Sequence, residues 1–209
     1  MELQPLVITI GHQIGSGGAY VGQKLADRLA IPFIDREILR NVAARVHVPV
    51  AELETREQRL TSFWQSFSWT AECLDPVKSL SADTYVPTDR DLFEVESEYI
   101  AGIAEKNPAV FLGRCGHYIL RQHPRHFRLL VLAEVPARIK RLAELYRLSP
   151  TEAGKMLDTN DRERAAYISR FTKQNWLEPR HYDLCVNTTT VGLDNTVEIV
   201  FAAVQGPAR

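Results

Sequence analysis

Cysteine is scarce in this chain: three residues among 209, at positions 73, 115 and 185, with no two at the close spacing of a zinc knuckle or a redox pair. An odd number so widely separated argues against a disulfide framework and fits a reducing cytoplasm. Long apolar runs are missing too. No stretch reaches the roughly 18 residues that spanning a bilayer requires, and the opening Met-Glu-Leu-Gln-Pro has no basic leader, so the expectation is a protein that is neither membrane-bound nor exported. Charge of one sign is absent as well. With 25 Lys and Arg against 26 Asp and Glu the net charge is −1, which gives no footprint for nucleic acid and no acidic tail. Repeats and low-complexity tracts are likewise lacking.

What is present is a core. Apolar side chains make up 45% of the chain and charged ones 24%, the balance of one globular domain spanning residues 1–209. Short β-branched runs at 6–10, 31–34, 109–112, 127–132 and 182–186 alternate with helical periodicity at 21–29, 89–106, 136–147, 150–157, 159–173 and 192–204. Strand alternating with helix predicts a parallel sheet covered on both faces, an α/β fold of three layers. The rhythm breaks at 51–86, an insertion with no strand of its own. Its Phe63, Trp64 and Phe67 share a helical face, which predicts a helix packed on the main domain or on a second copy as a homodimer, with base stacking as the other use of such a surface.

The first strand runs into Gly11-His12-Gln13-Ile14-Gly15-Ser16-Gly17-Gly18-Ala19 and then a helix. Backbone N–H groups of a glycine-rich turn, with the positive end of the next helix dipole, form a cradle for phosphate. A strict phosphate loop reads GxxxxGK[ST]. Here Gly18 stands where the lysine belongs and Ala19 where the magnesium-binding hydroxyl belongs. His12 and Lys24 are the nearby cations, and Lys24 lies nearly two turns into the helix. A dinucleotide fingerprint begins at Gly15-Ser16-Gly17, with Asp35 at the distance of a ribose-binding acid, but Tyr20 replaces its third glycine. A tight turn with no ligand is the remaining reading of the loop. The five histidines beyond His12 show no metal-ligand spacing.

Taken in order, ITIGHQIGSGGAYVGQKLADRLAIPFIDREIL, VFLGRCGHYIL, ARIKRLAELYRLSPTEAGKMLDTNDRERAAYISRFTKQNW and YDLCVNT resemble the cytidylate kinase-like family. The resemblance implies a P-loop NTPase-like fold with a five-stranded parallel sheet of order 2-3-1-4-5, a lid near 149–172, and phosphoryl transfer from ATP with Mg²⁺ to a nucleoside monophosphate, CMP or dCMP first. It implies that His12, Gly15, Ser16, Gly17 and Gly18 hold the ATP phosphates, that Asp35, Arg36 and Arg114 meet the acceptor, and that Arg138, Arg162 and Arg164 supply catalytic charge. The residue types suit that chemistry on their own account, since phosphoryl transfer needs positioning and cations, and the planar guanidinium forks onto phosphate oxygens. Each has a plainer use: Asp35 as a helix cap, the arginines as surface ion pairs. The missing lysine leaves two other readings open, a nucleotide-binding regulatory module without turnover and a kinase for a different small acceptor.

Overall fold

A computed structural model describes residues 4–35 and 89–205. The aromatic insertion, the dimer surface expected from it, and Arg36 lie outside the described residues. Among the described residues the chain forms β1 (Val7–His12), α1 (Gly18–Leu29), β2 (Phe33–Ile34), α2 (Asp89–Lys106), β3 (Ala109–Leu112), α3 (Gly116–Ile119), β4 (His126–Leu132), α4 (Val135–Tyr146), α5 (Pro150–Thr172), a 3₁₀ turn (Pro179–His181), β5 (Leu184–Asn187), α6 (Thr188–Val191) and α7 (Leu193–Gln205).

The five strands make one parallel sheet in the expected order, β2-β3-β1-β4-β5. β1 lies at its centre, pairing Val7 with Ala109 of β3 on one side and with His126 of β4 on the other. Alternation along the central strands sorts side chains to two faces. Val7, Ala109 and Phe111 pack under α2 with Ile100 and Ala104. Ile8, Ile10, Val110, Leu112, Leu129 and Val131 pack under α1 and α7 with Val21, Leu25, Val197 and Val200. Among the described helices none is long and apolar enough to cross a membrane.

Two expectations change. The first strand does not end at Ile10: it continues through Gly11 to His12, which pairs with Val131. His12 therefore closes the strand and does not belong to the turn. The helices expected at 150–157 and 159–173 are one 23-residue helix. Asp158, Thr159 and Asn160 are modest helix formers, but neither Gly nor Pro interrupts them. Ala153, Leu157, Asn160, Arg164, Ile168 and Thr172 recur at helical spacing as a continuous buried face. The helix starts on a capping box: Ser149 Oγ accepts from the Glu152 amide at 3.3 Å while the Ser149 amide donates to Glu152 Oε2 at 2.8 Å.

Candidate active site

The glycine turn is held from outside by its carbonyls. The carbonyl of Ile14 accepts from Arg138 Nε at 2.6 Å, that of Gly15 from Arg141 Nη1, and that of Ser16 from Thr188 Oγ1 at 2.7 Å. Three consecutive carbonyls are thus turned outward to these donors, while the Ser16 amide closes the turn on the Gln13 carbonyl at 3.1 Å. Gly17 caps α1 in the left-handed region, φ 87°, with no side-chain cap on its first turn. That is the geometry of an anion cradle.

No lysine fits at position 18. A β-carbon built on Gly18 would overlap the His12 β-carbon and meet its Cγ at 2.7 Å. The missing side chain and the histidine are thus one arrangement, with the imidazole in the space a residue stem would use. His12 is 4% exposed, and burial, with Arg164 next in size, holds its pKa well below the ordinary histidine value. It lies beside the cradle as a neutral wall.

A cavity of about 40 Å³ opens beside this turn at the carboxyl end of the sheet, walled by Gly11, His12, Arg114, Arg164, Trp176 and Tyr182. This is the edge where open α/β sheets bind ligands. Tyr182 seats its ring against Gly11 and donates its hydroxyl to the Trp176 carbonyl at 2.8 Å. A β-carbon at position 11 would come within 2.8 Å of that hydroxyl oxygen.

Arg114 reaches the cavity through strained backbone. Gly113, Arg114 and Cys115 follow β3 at φ 71°, 56° and 53°, and left-handed non-glycine residues cost about 1–3 kcal/mol each. The buried guanidinium pairs with Glu96 of α2 at 2.7 Å, and Glu96 also accepts from the Tyr167 hydroxyl at 3.2 Å. Arg164 enters from α5, its Cζ 5.3 Å from the Trp176 ring centroid. Burial pulls its pKa down to about 9, opposed by Asp161 and, more weakly, by Asp35, so it remains a cation at neutral pH.

The other expected residues fall elsewhere. Asp35 directly follows β2, half-buried, and is felt by Arg164. Arg138 is 1% exposed and forked onto Asp161, with both Nη atoms at 2.8 Å. It braces the turn against α4 and α5 without lining the cavity. Arg162, about 200° around α5 from Arg164, is exposed with its Nε on the Asp158 carbonyl at 3.2 Å. Lys24 stands over the Tyr20 ring, 5.9 Å from its centroid, on the outer side of α1. Glu96, Asp161, Trp176 and Tyr182 are the partners that sequence reasoning missed. Of these only Asp161 left a trace, as the acid three residues before Arg164.

Two further histidines report on the fold. Burial lowers His117 from the ordinary 6.5 to about 4, against the hydrogen bond its Nε2 donates to Gln174 Oε1. It lowers His126, which meets Thr9 Oγ1 at 2.7 Å, from 6.5 to about 4 as well. Between pH 4 and 6.5 the unfolded chain therefore binds more protons than the folded one. Stability should be complete above pH 6.5 and decline toward pH 4, by roughly 1.4 kcal/mol per pH unit for each histidine. Melting temperatures at pH 7, 5.5 and 4.5 check this, and a flat profile would show that both rings titrate normally.

The sheet order, the glycine turn after its central strand and the arginine-lined cavity beside it define a kinase fold of the P-loop type. The chain belongs to the cytidylate kinase-like family, whose model matches residues 7–190. No curated protein matches it. In fold it is similar to an uncharacterized protein from Eubacterium ventriosum ATCC 27560, at TM-score 0.72 and 22% identity over 97% of this chain and 99% of that one. It is similar as well to the shikimate kinase of Bacteroides thetaiotaomicron (TM-score 0.56, 14% identity, 96% and 98% covered). A gluconokinase of Sinorhizobium meliloti 1021 gives TM-score 0.55 and 16% identity, with 99% and 95% covered.

Proposed function

We propose that this protein transfers the γ-phosphoryl group of ATP, carried with Mg²⁺, to a small anionic acceptor in the cytoplasm, a pyrimidine nucleoside monophosphate such as CMP or dCMP first. The observation that supports it is the convergence of Arg114 and Arg164 on one cavity against a glycine turn whose carbonyls are tied back. Arg164 in a dry wall neutralises charge on the transferring group more strongly than it would in water. Arg114, fixed by Glu96 and by its backbone, grips the acceptor. An acceptor phosphate oxygen is already an anion and needs no base; a hydroxyl acceptor would need one, and Asp35 is the carboxylate acting on Arg164 that is not already forked onto Arg138. Mg²⁺ usually keeps several waters and rides on the phosphates with one or two carboxylates, which suits a turn with Ala19 in place of a hydroxyl. Among the described residues no group of three His, Cys, Asp or Glu forms a cage for it.

ADP release with Mg·ATP against CMP, dCMP, UMP, AMP, GMP and small hydroxy acids tests this. Turnover on a pyrimidine monophosphate supports the leading reading, and turnover on a hydroxy acid alone points to a different acceptor. Nucleotide binding with no turnover on any acceptor favours a regulatory module, the reading that Gly18 and Ala19 support. Arg114→Lys keeps the charge and loses the fork, so the acceptor KM should rise tenfold or more with ATP affinity within about twofold. Unchanged acceptor kinetics would remove Arg114 from the site.

A further inference from the structure

Helix α5 faces the glycine turn and the end of β1 that feeds it, directly and through Arg138. Leu157 packs with Ile14 in a single apolar cluster. Asp161 grips Arg138, whose Nε holds the Ile14 carbonyl. Arg164 shares the cavity wall with Gly11 and His12. Asn160 stands on this face, three residues after Leu157 and four before Arg164, so helical geometry lays it over the turn between those contacts. It is 1% exposed. Neither its Nδ2 nor its Oδ1 has a hydrogen-bond partner among the described residues. In the turn itself Ser16 is fully buried, and its Oγ is likewise without one.

A buried primary amide with no partner is rare and costly in folded proteins. Leucine would fill the same volume at no such cost, and the neighbouring positions 153, 157 and 168 are apolar. Beside the carboxamide oxygen, the unpartnered groups are donors: the Ser16 hydroxyl and the two N–H bonds of Nδ2. Their common complement is an oxygen-rich anion.

We infer that Asn160 is a phosphate-binding residue, its Nδ2 donating to an oxygen of the donor nucleotide's phosphate chain in the turn, alongside the Ser16 hydroxyl. This rests on the reading of the turn as a triphosphate site. It assigns to a neutral dipole on α5 part of the contact that the absent lysine would make.

Calorimetric titration of a non-hydrolysable ATP analogue with Mg²⁺ into wild type, Asn160→Leu and Asn160→Asp, with melting temperatures of the free proteins, tests it. Asn160→Leu should raise Kd tenfold or more while the free protein melts at or above the wild-type temperature. A residue that merely packs would lose stability and affinity together. Asn160→Asp keeps the shape and puts negative charge against phosphate, so it should weaken binding further. Wild-type affinity in either folded variant overturns the assignment. If Asn160→Leu fails to fold, Asn160→Asp decides alone. Failure of the wild type to bind the analogue would overturn the triphosphate reading itself, and this assignment with it.

Discussion

Replacing Gly18 by lysine, which restores the charged residue of a standard phosphate loop, should damage the protein. The new β-carbon would overlap that of His12, which is the closing residue of a central strand and cannot withdraw without breaking its pairing with Val131. Overpacking of this kind costs about 1–3 kcal/mol where neighbours can yield, and these cannot yield easily. A loss near the top of that range corresponds to roughly 10 °C in melting temperature for a chain of this size. Nucleotide affinity should fall with it, because the turn is displaced. His12→Gly in the same chain makes the space, so the double variant should be more stable than the sum of its single effects allows. Denaturant melts of the four proteins measure that coupling. A Gly18→Lys protein as stable as wild type and faster in turnover would mean that the imidazole swings aside and that nothing in the fold opposes a lysine.

Arg164→Ala should have the larger effect on chemistry, a loss of about 10²–10³ in kcat/KM, the size found when one preorganised electrostatic contact is removed. Stability should move little or in the opposite direction. The guanidinium is 6% exposed with a pKa pulled down by burial, so the folded protein carries the cost of keeping it dry. Activity lost without stability is the mark of a group kept for its ligand. Arg164→Lys, which retains a cation without the fork, should fall between. If kcat/KM of Arg164→Ala on the best acceptor stays within threefold of wild type, the catalytic charge must come from another residue.

Much of this architecture is written locally. β-branched runs with period two, glycines between a strand and a helix, and arginines just beyond strands are properties of short windows, and they gave the strands, the sheet order through the family resemblance, and the cradle. What escaped depends on partners far apart in sequence. Nothing near Arg138 says that Asp161 will fork onto it, so it read as catalytic charge when it is a brace. Nothing near Arg114 announces Glu96. Arg162 and Arg164 look alike in a charged tetrapeptide, and only the helical phase set by Leu157 and Ile168 sends one to solvent and the other to the cavity. His12 and Gly18 are six residues apart, yet their dependence appears only when β1 extends two residues beyond its apolar run. Asn160 drew no notice inside the helix expected at 159–173, whereas its burial makes it a candidate ligand.

The order in which the chain is made bears on the turn. β1 is completed within the first dozen residues, but its neighbours begin at Ala109 and His126. The carbonyl clamps arrive later still, with Arg138, Arg141 and Thr188. A nascent chain therefore carries its glycine turn without these clamps until Thr188 has been made. At roughly 5–20 residues per second, the glycine turn waits on the order of ten seconds or more for the elements that shape it. A fold so dependent on distant partners is slow by nature, and its glycine turn is fully clamped only after α6 has been made.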